Sequence, residues 1–373
     1  MRFLIFVCGE GLGHTTRMIP LAKELLDGGH EVFFGSYGYS KRLLEDEGFR
    51  VFEAPKEIVL TGSDGVFDLK KSVLETLKNP VVFKIPKIFS ILKKSTPDVV
   101  LSDVYYTGIL CSKFKGLPVC MVTNQANMQE FFQNQGVTLG LLGFLVKLFY
   151  NAVFRLVDNI IVPDFPPPKT VCAKNLRFEK KISGKVFYSG PLVRRSESKK
   201  KLEFKRPMVL STIGGFGYRS VLLEKIIEAA RLDGKINYTL LLPPGAGKKR
   251  FKNTPENIVI LDFTENPISL IRDADLVIAS GGHSTIMEAV AYATPVISCP
   301  DSGQREQENN ALGVEALGVG ARISYSSRPE DILKTIVKTL GNDALRNKVL
   351  EMSKEYDSMI PQYSVRKLLE SGG

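Results

Sequence analysis

The chain has no tryptophan, and its five cysteines (Cys8, Cys111, Cys120, Cys172, Cys299) include no CxxC pair. An odd number of scattered cysteines leaves no legible disulfide framework or zinc site. Cys8, Cys120 and Cys299 lie in or beside apolar, strand-like runs, where a thiol acts as a small hydrophobe, so the expected setting is a reducing cytosol. Short-period repeats and low-complexity segments are also missing. A bilayer-spanning helix needs about 20 predominantly apolar residues. The nearest approach, Val137 to Val157, is interrupted by Lys147 and Arg155, and reads as an interfacial or core helix. The apolar start, Arg2 to Cys8, is too short for a signal peptide and runs into glycines; it reads as a first buried strand.

What is present is ordinary for a globular protein. The chain has 373 residues, 44% hydrophobic and 24% charged, which suggests two domains and excludes a disordered tail, a collagen-like fibre or a multi-span membrane protein. A core of that size needs no metal or disulfide staple. Lys and Arg number 50 against 40 Asp and Glu, a net charge of +10. That surplus suits an anionic partner (nucleic acid, anionic membrane, phosphorylated substrate) or merely a solvated surface. With no interleaved aromatic and basic patch, nucleic acid is not expected.

Short β-branched or aromatic runs alternate with amphipathic stretches. Strands are predicted at Arg2–Cys8, Glu31–Gly35, Arg50–Glu53, Asp98–Ser102, Pro118–Val122 and Asn159–Val162. Helices are predicted between them at Thr15–Asp27, Ser40–Glu47, Leu69–Lys94 and Thr107–Lys115. Gly190-Pro191 opens a polar, charged linker, after which strands recur at Met208–Thr212, Tyr238–Leu242, Val259–Leu261, Leu276–Ala279 and Val296–Cys299. Such alternation implies parallel sheets wrapped by helices, in two doubly wound halves.

Two turns carry chemistry. The first reads Cys8-Gly9-Glu10-Gly11-Leu12-Gly13-His14-Thr15-Thr16-Arg17. Its glycines allow close approach of backbone to a ligand, and the helix start offers N–H groups to an anion. It is not a dinucleotide fingerprint: His14 stands where the last glycine belongs, and no acid follows the second strand, which ends Phe34-Gly35-Ser36-Tyr37. His14 is placed either for chemistry at the strand's carboxyl end or as a helix cap. The run Gly245-Ala246-Gly247-Lys248-Lys249 fails as a P-loop, because Leu242 takes the first glycine's place and no Ser or Thr follows the lysine. Leu210 to Gly217 is another strand-to-glycine turn.

The second informative stretch runs from Asp275 to Ala311. Ser280-Gly281-Gly282-His283-Ser284-Thr285 ends a strand and opens a helix whose N–H groups can hold a diphosphate. Glu288, further into that helix, can accept both hydroxyls of a ribose. Gln304-Arg305-Glu306-Gln307-Glu308-Asn309-Asn310 then places a carboxylate and an amide side by side at a helix start, a pair suited to reading sugar hydroxyls.

These elements, in this order, resemble the GT-B glycosyltransferases, most closely the glycosyltransferase family 28-like group that holds the MurG transferase and the plant monogalactosyldiacylglycerol synthases. An archaeal and bacterial group carries a closer GEGxGH wording of the first loop. The resemblance implies an α/β fold of two Rossmann-like, doubly wound domains facing across a cleft. The expected division is an acceptor-binding domain at 1–190, a linker at 191–206, and a nucleotide-sugar domain at 207–355. Residues 356–373 are expected as a helix packing back towards the first domain. Position by position, Glu288 matches the ribose-binding glutamate and Thr285 the hydroxyl residue before it. Glu306 and Gln307 match the pair that contacts the donor sugar, and Asn310 the asparagine after them. Phe263 matches the aromatic that caps uracil, with Thr264 supplying backbone hydrogen bonds to the base. Gly214 and Gly215 match the phosphate-facing turn, while Gly282, His283 and Ser284 lie at the diphosphate. His283 departs from the plant family, whose phosphate-binding histidine falls nearer Ser280.

The implied reaction is inverting transfer of a sugar from UDP to an acceptor hydroxyl, with a UDP-sugar as substrate and no further cofactor. No DxD motif stands in a plausible place, so no metal is expected. His14 is the first choice of base and Glu10 its rival. Asp103 either orients the histidine or caps a helix. Gly11 and Gly13 form the phosphate or acceptor loop, and Asn124 and Gln125 could line the acceptor pocket. Seven lysines between Leu69 and Lys94 face the single acid Glu75, and the Phe- and Leu-rich stretch Phe131–Val157 follows. Together they suit a lipid-linked acceptor and an anionic membrane, with the protein peripheral at the inner face of the cell membrane; a solvated helix and a buried one would read the same way. A UDP-sugar epimerase or hydrolase, or a non-catalytic nucleotide-sugar sensor, would share the donor pocket.

Overall fold

The computed structural model describes every residue except 134–135, 197–201, 203, 215–216, 244–245, 249–250, 252, 265 and 372–373. Gly215, residues 197–201 of the linker's charged run and parts of the basic loop at 245–249 therefore lie outside the described residues. The contacts divide the chain into two units: Met1–Thr61, Leu69–Leu192 and Met359–Gly373 form the first, Gly62–Asp68 and Val193–Ser358 the second.

The first unit is a seven-stranded parallel sheet in the order β3-β2-β1-β6-β7-β8-β9. Its strands are β1 (Arg2–Val7), β2 (Glu31–Ser36), β3 (Arg50–Glu53), β6 (Val99–Asp103), β7 (Val119–Val122), β8 (Asn159–Val162) and β9 (Val186–Tyr188). The helices are α1 (Leu12–Asp27), α2 (Gly38–Asp46), α3 (Leu69–Lys78), α4 (Ile85–Ser95), α5 (Tyr106–Phe114) and α6 (Val137–Leu156). Phe3 to Val7 are fully buried, because β1 is covered on both faces. Phe3, Ile5 and Val7 pack with Ile19, Ala22 and Leu25 of α1. Leu4 and Phe6 pack with Ile88 of α4, Ile109 of α5 and Phe154 of α6.

The second unit repeats the plan with six parallel strands in the order β12-β11-β10-β13-β14-β15. These are β10 (Met208–Thr212), β11 (Asn237–Leu241), β12 (Ile258–Leu261), β13 (Leu276–Ala279), β14 (Val296–Ser298) and β15 (Gly320–Arg322). Their helices are α7 (Ser220–Arg231), α8 (Ile268–Asp273), α9 (His283–Ala291), α10 (Arg305–Leu317), α11 (Pro329–Leu340) and α12 (Asp343–Met359). A last helix, α13 (Pro361–Ser371), belongs to the first unit and seats Val365 and Leu369 in the α1 core.

The structure departs from the sequence reading in several places. The predicted helix Leu69–Lys94 is broken: Pro80 and Pro86 split it into α3, a 3₁₀ turn at Val81–Lys84 and α4. The core-helix alternative for Val137–Val157 fails, since only 22% of the most apolar window of α6 is buried. By length and composition α6 could cross a membrane, yet Tyr150, Val153 and Phe154 anchor it in the first unit's core. Residues 62–68, placed by sequence in the first domain, form the hairpin β4 (Gly62–Ser63) and β5 (Val66–Phe67) of the second unit. Asp64 (φ 48°) and Gly65 (φ 76°) make its two-residue turn, the geometry that Asp-Gly favours. A side chain at Gly65 would strike the Tyr325 ring. All five cysteines are buried and free.

Candidate active site

In a doubly wound sheet, ligands gather at the carboxyl ends of the strands where the order reverses. In the first unit that point lies between β1 and β6, and in the second between β10 and β13. Both of the turns singled out by sequence fall there.

In the first unit the chain leaves β1 at Val7, and Gly11, at φ 87°, opens α1 at Leu12. The helix starts three residues earlier than predicted, so His14 sits within its first turn. Asp103 is the last residue of β6, paired in register with Val7. Its capping alternative is overturned, because α5 begins at Tyr106 and has no side-chain cap. The fully buried Asp103 carboxylate instead meets His14 Nδ1 at 2.8 Å through Oδ1. Arg17 grips the same carboxylate with two forked hydrogen bonds, Nε to Oδ2 and Nη2 to Oδ1, each 2.5 Å. Burial pushes the Asp103 pKa up, but the Arg17 guanidinium and His14 outweigh it and hold the carboxyl below its usual range. Arg17 also donates through Nη1 to Asn124 Oδ1 at 3.0 Å.

Glu10 stands apart from this cluster: it pairs with Lys56 at 2.7 Å and accepts the Leu60 N–H at 3.3 Å. Gly13 lends its carbonyl to Thr16 Oγ1 at 3.4 Å. The Gln125 side chain is half-buried, and its Nε2 has no hydrogen-bond partner among the described residues.

The second unit builds its site around α9. Gly282 precedes the helix and His283, its first residue, is buried, while Ser284 and Thr285 are partly exposed in the first turn. Glu288 is buried further along, where its carboxylate lies 3.5 Å from Arg194. Burial raises the Glu288 pKa, and Arg194 opposes the rise. Phe263 and Thr264 lie in the loop between β12 and α8, where Thr264 Oγ1 accepts the Asn266 N–H at 3.3 Å. On α10, the buried Asn310 donates to Gly281 O at 3.1 Å and to Glu306 Oε1 at 2.7 Å, joining the glycine turn to the Glu306 carboxylate.

Gln307, expected beside Glu306 at the sugar, is buried, with Oε1 accepting the Asp301 N–H at 3.0 Å and Nε2 directed at Asp301 Oδ2. Asp301, also fully buried, receives Arg219 Nη2 (2.6 Å), Tyr218 Oη (2.7 Å) and Tyr325 Oη (3.1 Å). Arg219 Nη1 reaches Ile213 O at 3.0 Å, just before Gly214 at φ 71°. One buried ion pair thus ties the turn after β10 to the loop that leads into α10. The hairpin joins that loop too, with Phe67 N–H to Ser302 O and Ser302 N–H to Gly65 O, both 3.0 Å.

Sequence reasoning missed Arg17, Arg194, Arg219 and Asp301. Only Arg17 carried a signal, standing three residues after His14 and so on the same face of α1.

Residues 224–362 match the glycosyltransferase family 28 C-terminal domain, and residues 1–176 match glycosyl transferase family 1. An uncharacterized glycosyltransferase of Methanosarcina mazei is 47% identical over 371 residues, covering 99% of this chain and 98% of its own. The UDP-N-acetylglucosamine--N-acetylmuramyl-(pentapeptide) pyrophosphoryl-undecaprenol N-acetylglucosamine transferase of Thermosipho africanus is 26% identical over 304 residues, 75% of each chain. Among solved structures, the kitacinnamycin glycotransferase superposes with a TM-score of 0.78 at 16% identity, covering 100% of this chain and 99% of its own.

Proposed function

Because the chain belongs to the GT-B glycosyltransferases, with a family 28 C-terminal domain in its second half, we propose that it moves a hexose or N-acetylhexosamine from UDP to an acceptor hydroxyl. The transfer inverts the anomeric centre and uses no metal ion. The observation that carries this reading is the 2.8 Å contact of His14 with Asp103 at the switch point of the first sheet. With Nδ1–H donating to the carboxylate, Nε2 is left bare to take the proton of the acceptor hydroxyl. The acceptor oxygen then attacks C1 of the sugar from the side opposite the nucleotide, and the bond from C1 to the diphosphate oxygen breaks. The departing negative charge falls to the N–H groups at the start of α9. Glu10, held by Lys56, is the poorer candidate for base. On the donor side Glu288 receives the ribose hydroxyls and Glu306, aligned by Asn310, the sugar.

UDP is favoured as the nucleotide because the Thermosipho africanus relative is named for a UDP-N-acetylglucosamine donor. Calorimetry with UDP, GDP, ADP, dTDP and CDP in EDTA tests the choice, and UDP is expected to bind most tightly. Glu288→Gln is expected to weaken UDP by about 10–100-fold, the worth of hydrogen bonds to a charged group. A tighter fit to another nucleotide, or equal binding by the variant, would sink this assignment.

The acceptor is proposed to be lipid-linked and met at an anionic membrane. α6 exposes Val137, Leu141, Phe144, Leu145 and Leu148. On the same unit Phe83, in the 3₁₀ turn, is 83% exposed, and Phe114 at the end of α5 is 82% exposed. The seven lysines from Lys70 to Lys94 supply the cations, and Glu75 pairs with Lys78 at 2.6 Å. Burying each phenylalanine in a bilayer gains roughly 1.5–3 kcal/mol. Phe83→Glu with Phe144→Glu is therefore expected to reduce co-sedimentation with phosphatidylglycerol vesicles at least tenfold. Equal pelleting of variant and parent, or no preference over phosphatidylcholine, would remove the membrane from the reading.

A further inference from the structure

Asp103 is a fully buried carboxylate with two cationic neighbours of different kinds: one histidine that can hold or release a proton, and one arginine that is always charged. A buried carboxylate demands a countercharge. If the imidazole had to supply it, His14 would carry protons on both ring nitrogens and could accept none from a substrate. We propose that Arg17 is the dedicated counter-ion of Asp103, and that it frees His14 to stand as a neutral base with Nε2 bare. Arg17 is a positioning residue, and the proposal rests on the reading of His14 as the base.

The geometry fits this division of labour. Arg17 uses both arms of its fork on the carboxylate, so the charge is neutralised by a bidentate pair. Asn124 fixes the third nitrogen, at 3.0 Å, and keeps the fork in plane. Arg17 Nη2 also lies 3.1 Å from His14 Nδ1, where a fixed positive charge disfavours a second one on the ring. The nearby acids on neighbouring elements are otherwise engaged. Glu10, in the loop before α1, is committed to Lys56. Glu57, buried by α5, is committed to the N–H groups of Tyr106 and Thr107 and to the Thr107 hydroxyl.

The test reads the protonation of His14 directly, apart from any activity. The chain has three histidines, His14, His30 and His283, so ¹⁵N-histidine labelling gives a spectrum that His14→Gln assigns. At pH 7.5 the parent is expected to show a protonated Nδ1 and a bare Nε2. In Arg17→Met both ring nitrogens should be protonated, because Asp103 has only the imidazole left to answer it. Turnover should fall on the order of 10–100-fold, because a doubly protonated ring cannot accept the acceptor's proton. It should recover as the pH is raised to 9.5, which a merely structural defect would not do. The double variant Arg17→Met with Asp103→Asn removes both buried charges, keeps an acceptor for Nδ1–H, and is expected to restore the bare Nε2; it also serves if the single variant fails to fold. A bare Nε2 in Arg17→Met, or a doubly protonated ring in the double variant, would overturn the proposal. A parent that shows the expected spectra but transfers no sugar would leave Arg17 as counter-ion and remove the glycosyl-transfer reading instead.

Discussion

Replacing His14 with alanine is expected to lower kcat by about 10²–10⁴-fold, the usual contribution of a general base, and to leave the affinity for UDP unchanged. The separation should be sharp because the residues proposed for the two functions sit on different units. His14, Asp103 and Arg17 belong to the first, whereas Glu288, Glu306 and Asn310 belong to the second. Asp103→Asn is expected to fall between parent and His14→Ala, since an amide still accepts the Nδ1 proton but leaves the Arg17 charge unanswered. Glu10→Gln is expected to stay within a few-fold of the parent, because it loses only an ion pair with a lysine that is itself half in solvent. Calorimetric UDP binding alongside steady-state turnover checks all three. Unchanged turnover in His14→Ala would take the histidine out of the chemistry, and a large loss in Glu10→Gln would transfer the role to the glutamate.

Asp301→Ala is expected to destabilise the second unit by roughly 3–5 kcal/mol, the cost of stranding a buried charge. Arg219 would lose three carboxylate contacts at 2.6–3.0 Å while remaining buried. Burial works against its charge, and the neighbouring carboxylate is what holds its pKa above the ordinary arginine value. Tyr218, Tyr325 and Gln307 would lose an acceptor in the same step. Differential scanning calorimetry is the suitable measurement, since a chain of two units need not unfold as one and the absence of tryptophan removes the usual fluorescence probe. Saturating UDP should raise the affected transition in the parent, which identifies it as the second unit's. Asp301→Asn keeps the hydrogen-bond acceptor without the charge and is expected to cost less. A loss below about 1 kcal/mol for the alanine variant would mean that water reaches Arg219 and the pair is not a brace.

The parts of the fold that were legible share one physical basis. Strands buried on both faces must be apolar throughout, and helices packed on one face must repeat every three or four residues. Hence β1, β8, β10 and β13 fall within a residue of their predicted ends. Signals that depend on who the neighbour is were not legible. The composition of α6 is that of a buried helix, and only the packing of Tyr150, Val153 and Phe154 against the sheet shows which face is covered. Asp103 at a strand end reads as a cap until Arg17 is brought to it across 86 residues of chain. Gln307 carries the right residue type for a sugar contact, yet Asp301, six residues before it, takes both of its polar atoms. The hairpin at 62–68 was legible in principle from Asp64-Gly65, although nothing local assigns it to the second unit.

The placement of α13 has a consequence for how the protein is made. Val365 and Leu369 are fully buried in the α1 core. Arg366 reaches Glu24 at 2.9 Å, and Glu370 reaches His30 at 3.1 Å. Domains usually fold as units in the order of their synthesis. Here the first sheet emerges from the ribosome with the outer face of α1 uncovered, and it stays so until all of the second unit has been translated. The first unit to begin folding is therefore the last to be finished, and a ribosome stalled anywhere before residue 361 holds a nascent chain with an open apolar groove.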